Sequence, residues 1–293
     1  MPRNSAVPLR TARGGALHQA LEAAFVRACA DLSARVERDP LRFPRRYAMR
    51  AAPDGTAAAE RLADVEIAAV FASQLAFGRV DLFGPVLERL FAEMDAVGGP
   101  AAWCRGCAAG QRDSGDPLVY RWFSRRDFVA LGVALARLQA AEGLAAAFTT
   151  LEAGISRLRA LAPMAAGGPH FGTWFATPSG GSACKRWCMF LRWMVRSGAP
   201  DLGVWTQLEP ATLTMPVDTH VLRIAQLTGL TARKTADWKT AVEITDRLRG
   251  YAPEDPTRFD FALAHLGISS GCTGQKSTSC EACSLRLVCK IWL

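Results

Sequence analysis

Apolar residues recur every three to four positions along almost the whole chain, and nowhere do they alternate. Leu17, Leu21, Phe25, Ala28, Leu32 and Val36 form one stripe, and Val80, Phe83, Leu87, Leu90 and Met94 form a second. Leu144, Phe148, Leu151, Ile155 and Leu158 form a third, Ala183, Trp187, Phe190 and Met194 a fourth, and Val217, Val221 and Ile224 begin a fifth. This period places each set on one face of a helix, whereas a half-buried strand would need a period of two. The spacing therefore predicts an all-α protein of about ten helices. Gly and Pro punctuate the pattern at VGGP (97–100), PMAAGGP (163–169), TPSGGS (177–182), SGAP (197–200) and APEDP (252–256). AAPDGTAAAE (51–60) is the candidate for a flexible connection.

The chain has 293 residues, half of them hydrophobic, which suffices for one or two buried cores. No run of about 18 apolar residues occurs, so no membrane span is expected. Leu17 to Phe25 is interrupted by His18, Gln19 and Glu22, unlike a signal-peptide core. A cytoplasmic location is the expectation, and with it reduced thiols rather than a disulfide framework. The net charge is +8, unevenly spread: residues 1–50 carry +6, 51–181 carry −2 and 182–250 carry +4. A basic surface suits a polyanion such as nucleic acid, although it equally serves solubility.

Four of the nine cysteines crowd the C-terminal segment as Cys272-x7-Cys280-x2-Cys283-x5-Cys289. Four thiolates this close can ligate zinc or a [4Fe–4S] cluster. Zinc ligands usually come as two close pairs. Here a single pair is flanked by lone cysteines, which suits a cuboidal cluster better, and spacing leaves both open. The arrangement resembles the cluster loop of endonuclease III and its relatives, the helix-hairpin-helix DNA glycosylases, whose pattern is C-x6-C-x2-C-x5-C. The first gap here is one residue longer. The resemblance implies a structural cluster held by Cys272, Cys280, Cys283 and Cys289, in a loop that presents Lys276, Arg286 and Lys290 to DNA phosphates. Ordinary solvated charge is the plain alternative for those three.

MPVDTHVLRIAQLTGL (215–230) resembles the family segment that carries its catalytic aspartate, which falls on Asp218. An Asp just before an apolar helical run is also a good N-cap, and both roles can hold at once. The chemistry wants a carboxylate there. Breaking an N-glycosidic bond builds positive charge on the sugar, which a preorganised anion stabilises. PSGGSACKRWCMFLRWM (178–194) stands where the family carries its hairpin and, in bifunctional members, a catalytic lysine. Aligned on Lys185, Gly181 matches the first hairpin glycine, but Ala183 replaces the second and the Leu-Pro start is missing. The resemblance implies a degenerate hairpin in which Gly180, Gly181 and Ser182 meet a phosphate and Lys185 is the nucleophile. Flanking Arg186 and partial burial would lower the pKa of that amine. A lysine at a helix start pointing to solvent is the alternative. The long gap from Lys185 to Asp218 is more similar to the archaeal 8-oxoguanine glycosylases than to endonuclease III.

VFASQLAFGRV (70–80) resembles the segment whose Gln fills the space left by a flipped nucleotide, which falls on Gln74; a buried or capping Gln is the alternative. His220 could orient Asp218 or touch a phosphate. Trp174 and Trp187 are candidates to stack on an extruded base, if they are not core. Arg186 and His220 join the DNA-contacting set. RFPRRY (42–47) could bind phosphate or pin the N-terminal arm. WCRGC (Cys104, Cys107) with Cys184 and Cys188 is a weaker candidate for a second metal site. DPLVYRW (116–122), GSACKRWCMFLRWM and DPTRFDFALAHLGIS (255–269) are also similar to a bacterial helical family of unknown function.

Together the resemblances imply a two-lobed helix-hairpin-helix glycosylase-like fold with a C-terminal iron–sulfur loop at 272–289. Residues 60–200 would form the central lobe, and 1–59 with 215–293 the second. The implied activity is excision of a damaged or modified base from double-stranded DNA by base flipping, in base excision repair, with AP lyase activity through Lys185. The implied protein is a monomer in the bacterial cytoplasm, associated with the nucleoid. Two other classes stay open: a non-catalytic iron–sulfur nucleic-acid-binding protein, and an enzyme acting on a hypermodified base or free nucleotide in phage conflict.

Overall fold

The computed structural model describes residues 12–50, 56–112, 117–268 and 271–293. Residues 1–11, 51–55 of the connection candidate, Asp116 and Ser269 lie outside the described residues. The α-helices run in the order α1 (Ala12–Ala30), α2 (Leu32–Val36), α3 (Arg42–Ala48), α4 (Thr56–Leu75), α5 (Val80–Asp95), α6 (Pro100–Ala108) and α7 (Arg125–Ala141). They continue with α8 (Leu144–Ala147), α9 (Leu151–Leu161), α10 (Lys185–Val195), α11 (Thr219–Thr228), α12 (Trp238–Arg249) and α13 (Asp260–Ile268). The only β pairing among the described residues is two isolated bridges, Tyr120–Phe123 and Ser182–Asp237. The chain is all-α, as its apolar period requires. None of the described helices is long and apolar enough to cross a membrane.

Among the described residues thirteen α-helices are present against the expected ten or so, and two of the stripes are each divided. The first breaks at Asp31 into α1 and α2. The third breaks after Phe148, which stays fully buried while Thr150 caps α9 by accepting from the Ala153 N–H at 3.1 Å. The second half of the 51–60 stretch is helical, because Thr56 opens α4.

The chain forms two compact units. One comprises Met1–Ser33, Gly181–Arg192 and Glu209–Leu293; the other comprises Ala34–Gly180 and Trp193–Leu208. In the first unit α13 packs on α1 and α11. Phe25 meets Phe259 edge-on, and Arg258 lies over both rings while pairing with Glu22 at 3.0 Å. Arg192 of α10 and Asp260 of α13 form a buried ion pair. In the second unit α3 packs on α4, and α6 on α7. Ser124 and Asp127 make a reciprocal capping box at the start of α7, and Asp127 also accepts from the Gly168 N–H at 2.7 Å. RFPRRY becomes α3 and works as a pin: Arg42 and Arg46 both bind Glu88 of α5 at 2.7 Å, and Arg45 donates to the Pro200 carbonyl at 2.6 Å.

Candidate functional site

Lys185 is the first residue of α10, and a strained turn sets it there. Gly181 has φ +79° and Cys184 φ +49°, the left-handed region that a residue with a β-carbon occupies at a cost of about 1–2 kcal/mol. The Ser182 hydroxyl supports this turn by accepting from the Cys184 N–H at 3.1 Å, and Cys184 supplies the first helix carbonyl to the Cys188 N–H at 2.9 Å. Ser182 also pairs with Asp237, the N-cap of α12.

Asp218 is the N-cap of α11. Its Oδ1 accepts from the His220 and Val221 N–H groups, both at 2.9 Å. Capping through one oxygen leaves the other to face outward, and Oδ2 stands 3.6 Å from Lys185 Nζ. The two helices thus begin at one place, with amine and carboxylate in contact and each side chain 26% exposed. Separated ionic contacts of this kind contribute about 0–1 kcal/mol to stability, so the fold gains little from this one.

The rest of α11 is fastened to the C-terminal segment. Arg223 donates to His220 Nδ1 at 3.0 Å and to the Cys272 carbonyl at 2.6 Å. A guanidinium only donates, so Nδ1 accepts and the imidazole proton sits on Nε2. Gly267 of α13 lets His220 lie close: a β-carbon there would meet His220 Cβ at 2.7 Å. The Lys290 N–H donates to the Leu227 carbonyl at 2.9 Å. Arg27 of α1 reaches the Ala282 carbonyl from the other side.

Within that loop Cys283 is the cysteine whose thiol the other three influence. Burial pushes its thiol up, and the charges of Cys272, Cys289 and Cys280 push it further. The Cys280 thiol is pulled down, first by the Ser277 hydroxyl and backbone, then by the Trp292 indole and Lys276. The donor set of four thiols fits a thiolate-held group by its chemistry. Among the described residues no three His, Cys, Asp or Glu side chains are arranged to hold a metal ion. A single zinc would need its sulfurs about 3.8 Å apart, given Zn–S bonds of about 2.3 Å in a tetrahedron. Lys276 Nζ and Arg286 Cζ lie over the Trp292 ring at 3.9 and 4.1 Å, so one indole positions two of the basic side chains expected to meet phosphate. Trp292 went unnoticed in the sequence; its place among Lys276, Arg286 and Lys290 was the available signal. Lys290 is exposed.

Other expected contacts fall elsewhere. Gln74 is fully buried in α4, and Trp174 and Trp187 are buried in the cores of separate units. Trp174 packs among Phe123, Phe128 and Phe171, and Trp187 against Phe190. None of the three presents a face to a ligand, because each fills a core. Gly180 and Gly181 form the exposed turn Pro178–Gly181, but the arm before it is the 3₁₀ segment Phe171–Phe175 rather than an α-helix, after the helix-breaking Gly167, Gly168 and Pro169. Arg186 is half-buried, and desolvation brings its guanidinium down to about 10. Cys104 and Cys107 belong to one unit and Cys184 and Cys188 to the other, all buried. His265 lies against Phe261 in the core, the two rings tilted by 55°.

These features define a helical protein in which a lysine and an aspartate meet at two helix starts, beside a thiol-rich basic loop. The chain belongs to the family described as Protein of unknown function (DUF2400), which it matches over residues 39–269. The match includes Lys185 and Asp218 and ends before Cys272. No curated protein and no solved structure matches the chain.

Proposed function

We propose that the chain is a DNA glycosylase, of the type that uses an amine as nucleophile and can go on to cleave the strand. The observation that carries this reading is the 3.6 Å approach of Lys185 Nζ to Asp218 Oδ2. The carboxylate can accept a proton from the ammonium group, leaving the amine lone pair to attack C1′ of a flipped nucleotide. The N-glycosidic bond then breaks, its electron pair leaves with the base, the base takes up the proton held by Asp218, and the carboxylate so restored stabilises the positive charge left on the sugar. Loss of the amine proton and opening of the sugar ring give a Schiff base, from which β-elimination can follow. Lys276, Arg286 and Lys290 supply phosphate contacts. We assign Cys272, Cys280, Cys283 and Cys289 to a [4Fe–4S] cluster with a structural role. The protein works as a monomer on nucleoid DNA in the cytoplasm.

Duplexes bearing a panel of damaged or modified bases test this directly, with base release followed by chromatography and the Schiff base trapped by borohydride. Release with trapping is expected. Binding without release would replace the enzyme by a nucleic-acid-binding protein, and release only from mononucleotides would move the substrate off DNA. For the metal, purified protein is expected to be brown, with about four iron and four sulfide per chain, and Cys283→Ser to lose the colour. A colourless protein carrying about one zinc would replace the cluster by a zinc site.

A further inference from the structure

The second unit carries a half-exposed aromatic tip, Trp122, which packs on Phe77, Phe123 and His170 and leaves the rest of its ring in solvent. Tyr120 and Phe123 exchange both backbone hydrogen bonds, at 3.0 and 2.9 Å, and so close a two-residue hairpin turn whose tip is Arg121–Trp122. Turns of this length favour Gly, Asn or Asp where φ is positive. Here Arg121 occupies that position with φ +56°. A strained residue in place of a good turn former suggests that its side chain is what matters. Trp122 follows it with 48% of its surface exposed, stacked on Phe77 at 5.7 Å and 27°.

The loop after α4 is built to receive this tip. The Tyr120 hydroxyl donates to the Phe77 carbonyl. Gly78 has φ +83°, and a β-carbon there would meet the Arg121 guanidinium at 2.7 Å and the Tyr120 hydroxyl at 2.9 Å. The Arg121 guanidinium lies 5.5–5.9 Å from the rings of Phe77, Tyr120 and Trp122. Among the described residues no carboxylate forms an ion pair with Arg121, whereas neighbouring Arg79 is paired with Asp81.

We propose that Arg121–Trp122 is a stacking platform for an unpaired base of a nucleic-acid strand, with Arg121 taking the adjoining phosphate. A large aromatic face beside a guanidinium that pairs with none of the described carboxylates, on a chain of net charge +8, matches an unpaired nucleotide, which offers a π-face and an anion together. The inference rests on the nucleic-acid partner proposed above, not on catalysis.

Fluorescence anisotropy with a labelled single-stranded oligothymidylate tests it. Trp122→Ala is expected to weaken binding roughly tenfold, and Trp122→Phe to retain most of the affinity. Arg121→Gly removes the charge while easing the turn, so it is expected to melt no lower than wild type yet bind more weakly, with a salt dependence reduced by about one counterion. Wild-type affinity in both Trp122→Ala and Arg121→Gly overturns the inference. So does loss of self-association in sedimentation without loss of DNA binding, which would make the tip a contact between copies. Oligothymidylate carries no lesion. A chain that binds it through Trp122 but releases no base from any duplex therefore refutes the catalytic reading alone. Base release with unchanged Trp122→Ala binding refutes this inference alone.

Discussion

Asp218→Asn is expected to lower base release by about 10²–10⁴-fold while leaving thermal unfolding where it is. The substitution separates two roles that one carboxylate holds. Asn is as good an N-cap as Asp, and its amide oxygen can accept from the His220 and Val221 N–H groups as Oδ1 does now. What it loses is the negative oxygen facing Lys185. Asp218→Ala should lose the cap as well and destabilise the fold by about 1 kcal/mol. Lys185→Gln should abolish borohydride trapping, again without unfolding, because the pair it breaks is partly exposed. Full activity in Asp218→Asn would reduce the residue to a helix cap.

Arg192→Ala is expected to cost about 3–5 kcal/mol, because it takes the paired guanidinium away from the buried carboxylate of Asp260. The two side chains are 4% and 6% exposed, and they join α10, which begins with Lys185, to α13. At about 2–4 °C per kcal/mol for a domain of this size, the melting temperature of this unit should fall by roughly 6–20 °C. Replacing both residues by apolar ones, Arg192→Met with Asp260→Leu, should recover most of the loss. Calorimetry on the three proteins measures both effects. A single-substitution loss below about 1 kcal/mol would mean that water reaches the pair.

How much of this was legible in the sequence depended on range. The α10 and α11 stripes are local, so Trp187, Phe190, Met194, Val221 and Ile224 could be assigned to buried helix faces before any coordinates. Asp218 as a cap was equally local. The approach of Lys185 to Asp218 spans 33 residues and could be suggested only by resemblance. Burial of single aromatics was not legible: Trp174 and Trp187 fill cores, while Trp122 is half in solvent. Composition around the three does not distinguish them, since exposure follows from which helices meet. The hairpin at Arg121 was hidden for another reason. Turn chemistry is recognised by Gly, Asn or Asp, and here an arginine stands in the left-handed position. RFPRRY read as a basic patch, yet Glu88, distant in sequence, takes up two of its arginines.

The clasps between α11 and the C-terminal loop are made to main-chain atoms on the loop side: the Cys272 carbonyl receives Arg223, and the Lys290 amide reaches Leu227. Main-chain atoms are the same in every residue that can adopt the conformation. Loop side chains other than the cysteines can therefore drift in charge and size over evolutionary time without loosening the helix that begins beside Asp218. The face of the loop is free to be retuned while the start of α11, with Asp218 and its Lys185 contact, stays in place.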